Sequence, residues 1–129
     1  MPNVTIEVRQ RYTREQEEAI IDAVHAALME GLKTPDWDRT IRLVVHEPHR
    51  FAPPPKKDER YTLVDIDLFS GRSLDAKKAL YRAVVKNLGK LGIPADHIKI
   101  LLRESPAENW GTRGGLPASE VDLGFKVDV

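Results

Sequence analysis

Proline at position 2 is the residue of this chain with the most chemical potential. A side chain this small leaves Met1 open to removal by methionine aminopeptidase. The group then exposed is a secondary amine at the head of a strand. Free α-amino groups titrate at about 7.7–8.0, and burial beside a cation lowers that further. Such an amine serves as a general base near neutral pH, or as a cationic acid where its surroundings favour charge. Many chains carry proline second for no catalytic reason, so the reading needs a partner. Arg72, in Ser70-Gly71-Arg72-Ser73, supplies one. A guanidinium forks onto a carboxylate through paired N–H donors and depresses a neighbouring amine's pKa. Its plainer role is that of a solvated loop residue ahead of a helix, with Ser73 as the cap.

Two similar β-α-β units would position these groups. Val4, Ile6 and Val8 alternate with Thr5, Glu7 and Arg9, the period of a half-buried strand. Thr13 opens a helix with Gln16 as its capping-box partner, and Ala19, Ile20, Ala23, Val24, Ala27 and Leu28 line one face toward Leu32. Pro35 stops that helix, and Ile41 to Val45 reads as a strand. The pattern then recurs: Val64, Ile66 and Leu68 form a strand, and Ser73 caps a helix bearing Ala79, Leu80, Ala83, Val84 and Leu88. Gly92 and Pro94 end it, and Ile98 to Leu102 forms the fourth strand. A shift of sixty residues superposes Val4 on Val64, Thr13 on Ser73, Ala23 on Ala83 and Leu28 on Leu88. Strand, cap, helix, stop and strand agree together, which points to an internal duplication.

Right-handed crossovers put both helices on one face of a four-stranded sheet. The fold expected is α/β (α+β), a tandemly duplicated β-α-β unit with a further C-terminal strand. One domain covers residues 1–129: a first repeat over about 2–48, a loop over 49–61, a second repeat over about 62–105 and a tail over 106–129. The loop carries three consecutive prolines and a run of charges, so it is extended and wet. In the tail, Val121, Leu123, Phe125, Val127 and Val129 alternate with polar residues or glycine, the pattern of a fifth strand. The sheet face away from the helices carries Leu63 and Phe69 among polar groups and is expected to be covered by neighbouring subunits. If a two-fold axis relates the repeats, the first and third strands run antiparallel, which brings Pro2 to the Arg72 end of the sheet.

Bulk properties narrow the functional classes. Twenty basic and twenty acidic side chains cancel, so no net field recruits nucleic acid or an anionic membrane. With no cysteine, disulfides, thiolate nucleophiles and zinc–thiolate sites are excluded. No apolar run spans a bilayer, and the N-terminus lacks the pattern of a signal peptide, so a cytoplasmic domain is expected. His46 and His49 have no third ligand at metal spacing, and Gly114-Gly115 lacks the context of a phosphate loop.

Together these residues resemble the tautomerase superfamily, and within it the malonate semialdehyde decarboxylase-like group, along nearly the whole chain. The likeness rests on Pro2, the duplicated unit and Gly71-Arg72-Ser73, with His25, Asp38-Arg39, His46 with Pro48, Asn109-Trp110 and Gly114-Gly115 in matching order. The resemblance implies a cofactor-free enzyme without metal, acting on a small carboxylate substrate and assembled as a homotrimer. It implies that Pro2 is the catalytic amine, that Arg72 binds and polarises the carboxylate, and that Asp38 assists proton transfer or activates water. Trp110 would form an apolar wall of the pocket. At Ser70 the decarboxylase has a second arginine, so carboxylate binding here falls to Arg72, with Arg39, Arg42 or Arg113 as substitutes from another direction.

Each of these residues also has a structural reading. His25 suits a buried, hydrogen-bonded histidine, Asp38 a turn cap, and Trp110 ordinary packing. Three functions follow. The first is keto–enol isomerisation of a small 2-oxo or enol carboxylate by Pro2. The second is decarboxylase or hydratase chemistry, with Pro2 cationic and Asp38 activating water. The third is a non-catalytic trimeric binding or scaffold protein of the same fold.

Overall fold

Alternation in Asn3–Val8 produces strand β1, in which Val4, Ile6 and Val8 are buried and the residues between them half-buried. The computed structural model describes residues 2–129; Met1, and with it the expected processing of Met1, lies outside the described residues. Helix α1, Arg14–Leu32, begins on a full capping box, with the Thr13 and Gln16 side chains each accepting the other's backbone N–H. It ends at Leu32, three residues before Pro35. Lys33 adopts a left-handed conformation (φ 59°) and its N–H returns to the Met29 carbonyl. Strand β2, Ile41–Val45, follows, then β3, Thr62–Phe69. Helix α2, Leu74–Gly89, starts with the Ser73 hydroxyl accepting from the Ala76 N–H, and β4, Ile98–Ser105, completes the repeat.

The four strands form one sheet in the order β2-β1-β3-β4. Within each repeat the strands are parallel, β1 with β2 and β3 with β4, while β1 and β3 meet antiparallel at the centre. This is the two-fold arrangement expected from the repeated pattern. Both helices lie on the same face, where Ile20, Val24, Leu28, Leu80, Val84 and Leu88 close over Val4, Ile6, Val64, Ile66 and Leu68. The two helices approach so closely at Gly31 that an added Cβ would stand 2.6 Å from the Leu80 Cα. No helix of the described residues is long and apolar enough to cross a membrane.

Two expectations are corrected. Pairing in the C-terminal region falls at β5, Gly111–Thr112, and β6, Leu116–Pro117, which form a small antiparallel ladder. Residues 121–129 form no strand; they cross the molecule as an unpaired strap. Their odd-numbered residues are still half-buried and the even ones exposed, because any extended backbone turns successive side chains to opposite sides. Phe69, expected on the open face, is buried by its own chain. Trp110 packs edge-on against it, with ring centroids 5.0 Å apart.

Candidate active site

The antiparallel register pairs Asn3 with Asp67, so its continuation sets Pro2 beside the last turn of β3 and the Arg72 loop. On the other side, the Val4 N–H donates to the Thr40 carbonyl at 3.0 Å, which brings Asp38 and Arg39, at the entry to β2, to the same end of the sheet. Pro2, Asp38 and Arg72 therefore cluster where β1 starts and β3 ends. All three are buried.

Arg72 is 6 % exposed. Its Nη1 donates to the Phe69 carbonyl at 3.1 Å, while Nε and Nη2 are buried without a hydrogen-bond partner among the described residues. Those two donors sit on one edge of the guanidinium, the edge that takes a carboxylate in a bidentate pair. Burial pushes the Arg72 pKa down, opposed by the negative charges of Asp38 and Glu104. Gly71, at φ 131°, supplies the turn that aims the side chain inward. A buried cation with two orphaned donors is costly to leave unpaired; its natural complement is an incoming anion.

The remaining expected residues divide by location. Trp110 shares the Arg72 neighbourhood: it covers Phe69, whose carbonyl accepts from Arg72, and its Nε1–H donates to the Ser105 hydroxyl at 2.8 Å. Ser70 is exposed and its backbone N–H donates to the Ser105 carbonyl. Arg39 is exposed and paired with Asp22 of α1. Arg42 reaches the Thr5 hydroxyl at 2.8 Å, and Arg113 reaches the Asp122 carbonyl at 2.7 Å. His25 is buried, with Nε2 3.3 Å from Asp36. His46 faces Glu7 at 2.9 Å, at the far end of β1 from Pro2.

Residues not singled out in the sequence join the site. Glu104 lies in electrostatic reach of Arg72 and is ion-paired with Lys77 of α2. Trp37, adjoining Asp38, meets Phe125 of the strap with centroids 6.0 Å apart. A tryptophan directly before the Asp38-Arg39 pair was the available signal for Trp37. The strap's role had none, since its alternation looked like an ordinary strand. A groove of about 420 Å³ lies between Tyr12, Ile20 and Leu91. It sits beyond the other end of α2, whose sixteen residues span roughly 24 Å, and takes no part in this cluster.

The arrangement is a buried cation with two unpartnered donors, a proline and an aspartate at the same sheet end, and Trp110 packed on Phe69 close by. Residues 38–113 match the family model described as tautomerase enzyme. A probable tautomerase of Ralstonia nicotianae is 32% identical over 53 residues, covering 40% of this chain and 76% of that protein. Among solved structures, the FG41 malonate semialdehyde decarboxylase inhibited by 3-bromopropiolate is 26% identical, with a TM-score of 0.77 over 88% of this chain and 91% of that one. Native fused 4-OT superposes with a TM-score of 0.84 over 95% of this chain and 99% of its own at 15% identity, a likeness of fold.

Proposed function

The chain belongs to the tautomerase family, and on that premise we propose that it is a cofactor-free keto–enol isomerase of a small 2-oxo or enol carboxylate. Arg72 carries the reading: a guanidinium 6 % exposed with Nε and Nη2 unpartnered at the end of β3, where β1 begins. In the proposed reaction, removal of Met1 frees the Pro2 amine. Arg72 holds the substrate carboxylate and draws negative charge toward itself. The neutral amine takes the enol proton and returns it to carbon, while the fixed cation stabilises the charge that develops. Asp38, in electrostatic reach of Arg72, assists the proton transfer, and Trp110 keeps the wall of the site apolar.

A homotrimer is part of the proposal. The open face of the sheet carries Val44, 38 % exposed, and Leu101, 49 % exposed. Between them lie neutralised pairs such as Arg103 with Asp65 and Asp67. A face of this kind, wide and internally charge-balanced, suits burial against copies of itself. Trimers of fused 4-OT are among the similar folds.

A second reading, decarboxylation or hydration of a 3-oxo acid, is favoured by Asp38, buried in reach of Arg72, and by the 26% identity to a malonate semialdehyde decarboxylase. Turnover of phenylenolpyruvate, a generic enol substrate, tests the leading reading. Wild type is expected to be active, and Pro2→Ala and Arg72→Ala to lose at least about a hundredfold. A folded, processed wild type without turnover would move the proposal to 3-oxo acid chemistry. Equal turnover in all three proteins would end it.

A further inference from the structure

Arg72 presents a difficulty for any substrate: with 6 % of its surface exposed, a carboxylate cannot reach Nε and Nη2 unless something moves. What lies against its loop is the strap formed by residues 121–129. An added Cβ on Gly71 would meet the Val127 side chain at 3.6 Å and the Asp128 Cα at 3.9 Å. The Ser73 N–H donates to the Val129 carbonyl at 2.8 Å. The strap thus spans the residues on both sides of Arg72. Its other end is tethered where Arg113 donates to the Asp122 carbonyl, and its middle rests where Phe125 packs on Trp37, which an added Cβ on Gly124 would also meet at 3.8 Å.

These attachments are few. Among the described residues the strap has no ladder to any strand, and its central contact is to a tryptophan still 64 % exposed. Segments with few buried contacts and little backbone bonding open at a small fraction of the global unfolding free energy. We propose that this strap, latched by Phe125 on Trp37, is a cover that selects substrates by size. A compact carboxylate would enter on a brief opening and be held on Arg72 beneath the reclosed strap, and a bulky one would stay bound only while the latch is open. The inference rests on the reading of Arg72 as the carboxylate site and names what that site admits: short-chain carboxylates over aryl-extended ones.

The test is equilibrium titration of full-length wild type, Phe125→Ala and Arg72→Ala with acetate and with 2-naphthoate, followed by NMR at the Ser73 amide and its neighbours. If the strap is closed nine-tenths of the time, unlatching it tightens 2-naphthoate about tenfold and leaves acetate within about twofold. Exchange of the Ser73 amide in Phe125→Ala is expected to quicken while amides inside α2 keep their wild-type protection, which also establishes that the variant is folded. An unchanged acetate-to-naphthoate ratio, or an unchanged Ser73 exchange rate, overturns the strap proposal while leaving Arg72 as the site. Equal binding of acetate to Arg72→Ala and wild type overturns the reading of Arg72 itself.

Discussion

Replacing Arg72 by methionine should make the protein more stable and less active at once. The methionine side chain fills much of the arginine's length with apolar atoms. It removes two buried, unpartnered donors, Nε and Nη2, each costing about 1–3 kcal/mol in the folded state. Against this stand the Nη1 bond to the Phe69 carbonyl, about 1.5–3 kcal/mol for a charged donor, and the attraction of Asp38 and Glu104. The balance, about 1–2 kcal/mol in favour of methionine, is the order seen when buried ionic groups give way to apolar ones. For a chain of this length that raises Tm by roughly 3–8 °C. Activity moves the other way, since loss of one preorganised charge at a developing oxyanion costs about 2.7–4 kcal/mol, or a factor of about 10²–10³. Thermal unfolding and kcat/KM for phenylenolpyruvate, on the same preparations, read both signs. A variant that is destabilised by more than about 1 kcal/mol and still turns over refutes the reasoning; it would mean that the guanidinium serves the fold.

Two further outcomes follow from packing and charge. Gly31→Ala gains about 1 kcal/mol of helix propensity, but its Cβ would lie 2.6 Å from the Leu80 Cα. Prising α1 from α2 costs more than that gain, so urea unfolding should show a net loss of about 1–2 kcal/mol, and a more stable variant would contradict the close approach. At acid pH the loop before β3 should loosen. His97, then Lys57, hold the Asp96 carboxyl down at about 2, and Arg60 holds Asp58 well below the usual carboxylate range. Carboxyls depressed in this way stabilise the fold above their unfolded value of about 3.9 and stop doing so as pH falls through the folded value. Exchange of the Arg60 amide, which donates to Asp58 Oδ1 at 2.9 Å, corrected for its intrinsic rate, should therefore rise between about pH 4 and pH 2. A flat profile across that window would contradict it.

Much of this was legible in the residues. The alternation of Val4, Ile6 and Val8, the Thr13–Gln16 box and the sixty-residue echo determine strand, cap and repeat locally, so the sheet order and the shared helix face follow. The antiparallel meeting of β1 and β3, which places Pro2 and Arg72 at one end, came from the two-fold relation alone. Less visible were features decided by distant contacts. Phe69 looked like an open-face residue because nothing near it in the chain announces Trp110, forty-one positions on, folding over it. Residues 121–129 carry a strand's alternation but reach no partner edge, and alternation records an extended backbone without recording a ladder. Arg39, beside Asp38 in the chain, turns to Asp22, a choice that adjacency does not reveal.

The central claim is that the nitrogen of Pro2 is a free amine, neutral near pH 7. It is tested most directly by ¹⁵N NMR titration of proline-labelled protein purified from its native host. A Pro2 signal that titrates with a midpoint below about 7, down from the ordinary 7.7–8.0 of an α-amine, is the predicted result. A Pro2 nitrogen that does not titrate, as an amide still joined to Met1, would contradict the account. An amine that is still cationic at pH 7 would contradict it too, and would turn the site toward general-acid chemistry.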